Sequence, residues 1–393
     1  MAMNLSNFDA LLKEMYLKGP IQKALNSACV LFHRMERDTD SIVGEYAVMP
    51  VMVGYTQAVG ARADAGGLPT AQQASYVRAH IPLQYNYARI QITGPTIRQS
   101  KSNEGAFLRA VESEVKAAVE ALRKDINRQV FGWGTGQLAL ANGAGNNTVT
   151  LTVDGPSSKW LKKNMYIDAY TSVPAQEINS IQISTVDSTT QVTLASAQTW
   201  TDNVVIYRED AKDNEMMGLR GIIETASVTT LYNISRTTYP EFSGSLLDNS
   251  ATNRALSLTL LDQAFDKSGE EVGLEPTIIV SGHALRRKYG ALAVTQKRFV
   301  APNAMTLDGG YKALEFNGVP WVVDTDSWPN RIFFCHEPVT KLYRASDFEW
   351  MSEDGAILSR VSGYDAYEAV LFHYGEIGCQ NPKAQTELAD ITE

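Results

Sequence analysis

The sequence predicts an α+β fold on three observations. Residues 75–92 follow a long period-two pattern, a helical repeat runs from Asn103 to Val130, and from Thr135 to Asp210 Val, Ile and Leu alternate with Thr, Ser and Gln. Elsewhere helix and strand patterns are intermixed. The 393 residues are 44% hydrophobic and 20% charged, enough for a substantial core.

Residues 6–18 predict a short amphipathic helix: Ser6 caps it, Phe8, Leu11, Leu12 and Met15 line one side, and Gly19-Pro20 stops it. It reads as an arm with an apolar face. The runs "EYAVMPVMVGYTQAV" (45–59) and "SYVRAHIPLQYNYARIQIT" (75–93) follow, with Gly66, Gly67 and Pro69 supplying a turn between them. Odd positions from Val77 to Tyr87 are apolar or aromatic, whereas Ile90 and Ile92 are even, so a slip is expected near Ala88 and Arg89. About 14 residues per arm would reach about 45 Å. A lone ribbon is marginal in water, so it must lie on its own core or on a second copy of the chain. The residues alone leave both open.

The helix from Asn103 to Val130 repeats Leu108, Val111, Val115, Val119, Leu122, Ile126 and Val130 at spacings of three and four, with Glu112/Lys116 and Glu120/Lys124 as supporting pairs. It should be about 40 Å long. The stretch from 135 to 210 predicts a small all-β unit, sandwich or barrel. A helix from Asn253 to Glu271, a strand at "PTIIVSG", a short helix at "HALRRKYGAL" and strands at "GVPWVVDTD" and "RIFFCHE" come next. Leu342 to Gly378 predicts antiparallel strands with a turn at Glu353-Asp354-Gly355, and the tail from Asn381 is expected to be loosely held.

Composition narrows the function. With 35 basic and 44 acidic residues the net charge is -9, which disfavours tight sequence-independent phosphate binding. Cys29, Cys335 and Cys379 fit neither a disulfide framework nor a zinc site and predict a reducing compartment. No run approaches 18 uncharged apolar residues, so neither a membrane span nor a signal peptide is expected. Phosphate-loop, dinucleotide, zinc-protease and nucleophile-elbow motifs are missing: "GWGTGQ" follows a helix with Gln137 in place of a third glycine, and "CHEPVT" has Thr340 where a second histidine belongs. Asp324 and Asp326 read as a turn, Ser281 as the cap of the helix that begins near His283, and His33, His80, His283, His336 and His373 show no ligand spacing. Arg286, Arg287 and Lys288 read as a solvated helix face, with acid groups on a neighbour or phosphate as the alternative contact. No enzyme, cofactor or metal is expected.

The order of elements, with "GYTQAVGARADAGGLPTA", "NEGAFLRAVESEVKAAVEALRKDINRQVFG", "GLRGIIE", "GVPWVVDTDSWPNRIFF" and "DFEWMSEDGAILSRVSGYDAYEAVLFHYGEIGCQNP", resembles the tailed-bacteriophage major capsid proteins of the Hong Kong 97 type over nearly the whole chain. The resemblance implies an N-terminal arm (1–44), an extended β-hairpin loop (45–98), a peripheral-domain spine helix (99–134), an inserted all-β subdomain (135–210), an axial domain (211–344), and closing peripheral strands with the tail (345–393). It implies self-assembly through hexamers and pentamers into an icosahedral shell around double-stranded DNA held by weak non-specific contact. Assembly would occur in the host bacterial cytoplasm, with a separate scaffolding protein, or none, and with portal and decoration proteins as further partners and no membrane. A same-fold nanocompartment enclosing cargo enzymes is the alternative. Loop contacts would come from Arg62, Asp64, Gly66, Gly67, Leu68, Pro69, Tyr76 and Arg78, and arm contacts from Phe8, Leu11, Leu12 and Met15. Some members link a loop lysine to a neighbour's asparagine, but this chain has no lysine from Ala24 to Ser100.

Overall fold

The structure, a computed structural model, describes residues 29–64, 66–95, 104–154, 157–172, 175–296, 305–306, 312–352 and 357–393. The expected arm helix with Phe8, Leu11, Leu12 and Met15, and the Glu353-Asp354-Gly355 turn, lie outside the described residues. The chain forms two compact units: Gly132–Gly218, and everything before and after it.

The larger unit begins with α1 (Val30–Arg34), β1 (Glu36–Asp38), β2 (Ile42–Val43), β3 (Tyr46–Gly54), β4 (Ser75–Pro82), β5 (Gln84–Thr93) and the long helix α2 (Glu104–Val130). Val115, Val119, Leu122, Ile126 and Val130 bury one face of α2, and Glu120 meets Lys124 at 3.5 Å on the other. Leu108, Val111 and Glu112 lie outside the described side chains.

The smaller unit holds β6 (Gln137–Leu140), β7 (Gly145–Thr152), β8 (Tyr166–Tyr170), β9 (Gln176–Val186), β10 (Gln191–Trp200) and β11 (Val205–Arg208). Their order is β6-β11-β8-β9-β10-β7, and an Ala141–Val153 bridge joins the last strand to the first. The Asn142 N–H donates to Thr152 O (2.8 Å) and the Asp154 N–H to Leu140 O (2.9 Å). The sheet therefore closes into a barrel, which removes its open edges. Leu151, Ile167, Ile178, Ile183, Val192 and Ile206 fill it. Buried Asp168 accepts the Ser180 and Asp210 N–H groups at 2.8 and 3.0 Å, pinning two residues held at φ 49° and 56°.

The larger unit resumes with α3 (Leu219–Ile223), β12 (Thr230–Leu231), β13 (Ile234–Ser235), β14 (Ser245–Leu247), α4 (Leu258–Val272), β15 (Ile278–Ser281) and α5 (His283–Gln296). After them come β16 (Met305–Thr306), β17 (Lys312–Phe316), β18 (Val319–Val323), β19 (Ile332–Cys335), β20 (Thr340–Trp350), β21 (Ser359–Arg360), β22 (Ala366–Cys379) and β23 (Thr386–Leu388). Buried Arg236 donates to the carbonyls of Gly221, Ile222 and Glu224, satisfying the C-terminal end of α3.

A seven-stranded sheet runs β14-β23-β19-β15-β18-β17-β16, with β14, β23, β15 and β18 pointing one way. The connections β14-α4-β15 and β15-α5-β18 step across it in the same direction. Right-handed crossovers then place both helices on one face. Leu261 and Phe265 of α4, and Leu285 and Tyr289 of α5, accordingly share a core with Trp321, Phe334 and Leu388. A second sheet runs β1-β20-β22, with β5 along the other edge of β22.

Four expectations need correction. The helix expected from Asn253 starts at Leu258, because the Ser257 hydroxyl accepts the Leu260 N–H (3.3 Å) and fixes the end there; at the other end Gly273 adopts φ 70°. The short helix runs on to Gln296. Ser281 does not spend its oxygen on a cap: it is fully buried and accepts the Trp321 indole N–H at 2.7 Å, while His283 is exposed. The tail is not loose. Its β23 lies inside the seven-stranded sheet between β14 and β19, and Thr386, Glu387, Leu388 and Ile391 are fully buried.

Candidate assembly surface

The hairpin of β3 and β4 has two unlike faces. In register, Ala47 faces Ile81, Met49 faces Ala79 and Val51 faces Val77; five of these six are buried. This face rests on the chain's own body. Ile81 packs over Gly378 of β22, where an added Cβ would come within 2.6 Å of its Cδ1 and 2.4 Å of the Tyr343 ring. The His80 N–H donates to Tyr232 O (2.9 Å), and the Tyr232 hydroxyl to Ile377 O (2.6 Å). The opposite face carries Tyr46, Pro50, Met52, Tyr76 and Arg78, all exposed. The Tyr46 ring leans on the His80 ring beside it, centroids 4.9 Å apart.

The ladder ends at Gly54 and Ser75, so the paired arms have nine and eight residues rather than the expected fourteen, about 30 Å. Among the described residues, 55–64 and 66–74 form no strand and are held by local bonds: Thr56 Oγ1 to Gln72 O (3.0 Å) and the Gly66 N–H to Ala63 O (2.9 Å). Gly66 and Gly67 are exposed, Pro69 is half-buried and Leu68 is 90% exposed. Tyr55 and Val59 are 78% and 74% exposed. Arg62 and Asp64 are exposed; Arg62 Nη1 donates to the adjoining Ala61 O (3.4 Å), and neither residue forms an ion pair with another described residue. The structure brings the loop residues into one projecting segment without giving them a core.

The change of environment along the long strand falls at Leu83, not near Ala88 and Arg89. Up to Leu83 the buried side chains are odd-numbered; from Gln84 they are even, and β5 pairs with β22 from Gln84 to Thr93 without a shift. Tyr85 and Tyr87 belong to the open face, 49% and 53% exposed, packed edge-on against Tyr374 at 5.0 and 5.9 Å. Asn86 takes the buried side, where its Oδ1 accepts from Gln129 Nε2 of α2 (2.8 Å). Sequence reasoning missed this aromatic patch, completed by Phe372; its signal was a polar Asn86 between two tyrosines, which can wet one end of the ring.

Asp324 and Asp326 form a turn and both accept from Asn127 Nδ2, at 2.7 and 2.9 Å. Among the described residues no cluster of three His, Cys, Asp or Glu side chains could hold a metal, and no helix is long and apolar enough to cross a membrane. Burial pushes the thiols of Cys29, Cys335 and Cys379 up, away from the reactive thiolate.

The architecture has a counterpart among solved structures. A chain of the cyanophage A-1(L) capsid asymmetric unit matches at a TM-score of 0.58, with 14% identity, over 93% of this chain and 92% of that one. The fold is that of the Hong Kong 97-type capsid proteins. Weaker likenesses are to Mycobacterium phage Bobi (TM-score 0.47, 9% identity, 99% of both chains) and the SrpI encapsulin of Synechococcus elongatus PCC 7942 (0.46, 10%, 100% and 96%). No family model and no curated protein matches the sequence.

Proposed function

We propose that this chain is the major capsid protein of a tailed double-stranded DNA phage, assembling with copies of itself into the virion shell. One observation carries the reading: the loop that follows the ladder from residue 55 to 74 leaves Tyr55, Val59 and Leu68 78%, 74% and 90% exposed. Apolar side chains so placed gain burial only against another molecule. The capsid fold supports a second copy as that molecule. Arg62, Asp64, Gly66, Gly67, Leu68, Pro69, Tyr76 and Arg78 are the loop contacts in this reading, and Phe8, Leu11, Leu12 and Met15 those of the arm. Many weak contacts spread over loop, arm and body add up to a durable closed shell.

Within that reading, the arm takes residues 1–44, the loop 45–98, the spine helix 99–134, the inserted barrel 135–210 and the axial domain 211–344. The closing peripheral strands start at 345, and β23 at the end of the chain joins the axial sheet. The role is structural rather than enzymatic; scaffold, portal, decoration proteins and DNA are its further partners.

Expressed alone at micromolar concentration, the chain is expected to form closed shells in electron micrographs and large species in sedimentation velocity. Deleting 60–74 should leave the circular dichroism unchanged and the protein small. A wild-type chain that sediments only as a monomer overturns the shell reading.

A further inference from the structure

Helices α4 and α5 each carry charge that the described residues leave unanswered, and the two charges are opposite. On α4, Asp262, Asp266 and Glu270 recur every fourth residue along the exposed face. They form one row about 12 Å long. Like charges at this spacing cost a few tenths of a kcal/mol per pair. The helix has one basic residue, Lys267, and its ammonium meets Glu271 at 2.9 Å. Among the described residues, none of the three row carboxylates lies within salt-bridge distance of a cation.

The helix α5, HALRRKYGALAVTQ, has no acid at all. Arg286 and Arg287 sit near its N-terminal end, where the helix dipole already favours anions. Arg287 is exposed and Arg286 half-buried, and neither has a carboxylate partner among the described residues. Lys288 is tied to the Thr392 carbonyl at 2.7 Å. Both helices therefore break a local rule of charge placement, in opposite senses. Such conflicts mark positions answered by something outside the subunit.

Both helices cover the same face of the seven-stranded sheet, so an acidic row and a basic end stand on one side of each subunit. We infer that the Asp262, Asp266 and Glu270 row of one copy docks on Arg286 and Arg287 of a second copy, head to tail around a ring. This rests on the shell reading and adds to it which surfaces meet within a capsomer. A contact between two different surfaces closes into a ring when the rotation fits. Exposed pairs contribute modestly to affinity, but they steer encounter and fix orientation, and salt screens them.

Charge reversal tests the pairing in the full chain, followed by sedimentation velocity and electron microscopy, with circular dichroism as the check on folding. The Arg286→Glu/Arg287→Glu chain and the Asp262→Lys/Asp266→Lys chain should each assemble about tenfold more slowly at low salt than wild type. A chain carrying all four changes should regain assembly. Mixing the two doubly reversed chains should also restore it, but only in rings of even number, since the two kinds must alternate. If a reversal unfolds its helix, Arg286→Gln/Arg287→Gln should still slow assembly and flatten its salt dependence. Folded variants that assemble at the wild-type rate, or a four-change chain that stays as slow as its parents, overturn the pairing and leave the shell reading intact. A wild-type chain that never assembles overturns both.

Discussion

His373 lies face to face with Phe348, ring centroids 4.5 Å apart and planes 23° apart, while Phe32 of α1 closes the slot edge-on at 6.0 Å. The imidazole is fully buried, and neither ring nitrogen has a hydrogen-bond partner. It is a core histidine, but not a satisfied one.

Burial pushes His373 down to about 4, outweighing the opposing pull of Asp347, with Arg344 and Arg37 adding to the fall. Between pH 6.5 and about 4 the unfolded chain takes up a proton that the folded chain refuses, so stability is full at pH 7 and drains as the pH falls through that window. The loss at pH 5 should be about 2 kcal/mol. Urea unfolding at pH 7 and pH 5 should show that component in wild type and lack it in His373→Leu; equal pH dependence in the two would contradict it.

Glu387 of β23 is fully buried against Arg331 and near Arg220, which in turn holds Glu224 at 2.7 Å and stacks on Trp328 at 4.4 Å. Burial raises the Glu387 carboxyl despite the two arginines. Glu387→Gln leaves a surplus buried cation and should cost about 3 kcal/mol in guanidinium melts. Adding Arg331→Met should recover part of that cost, the coupling that a double-mutant cycle reads directly.

The closed barrel should fold on its own. A fragment spanning 132–218 is expected to give a β-type circular dichroism spectrum and one cooperative thermal transition. At Gly145 an added Cβ would fall 2.4 Å from the Trp200 ring, so Gly145→Ala should destabilise the fragment by about 1–3 kcal/mol. A fragment without a transition would deny the unit its independence.

Assembled shells should be held by non-covalent contacts alone. The loop and its approaches have no lysine from Ala24 to Ser100, and the guanidinium groups of Arg62, Arg78 and Arg89 stay protonated and are poor nucleophiles. Boiled in detergent, shells should run as one band near 43.2 kDa. A ladder of linked subunits would point to a lysine elsewhere, Lys101 first.

Periodicity revealed much of this architecture because burial writes it into the sequence: the apolar stripe of α2 and the alternation of the barrel strands both read directly. Tyrosine misled it. Counting Tyr85 and Tyr87 as core moved the phase change five residues along, since a ring with a wettable hydroxyl suits an open face as well as a closed one. The tail misled it differently. Thr386 and Glu387 look like surface residues, and the arginines brought in by α3 and the segment before β19 make the burial of Glu387 tolerable, a long-range fact that no local window contains. Ser281 looked like a helix cap until Trp321, forty residues away, claimed its oxygen.

The position of β23 bears on how the subunit is made. A strand that fills the gap between β14 and β19 can arrive only after every other strand of its sheet has left the ribosome, so until Leu388 emerges the growing polypeptide holds a sheet with an empty slot. Segments that fold earlier must wait beside an unpaired edge, the exposure that chaperones exist to cover. Synthesis order thus holds this sheet unfinished until its last strand has been made, and no chain lacking that strand can present the finished surface of the folded one.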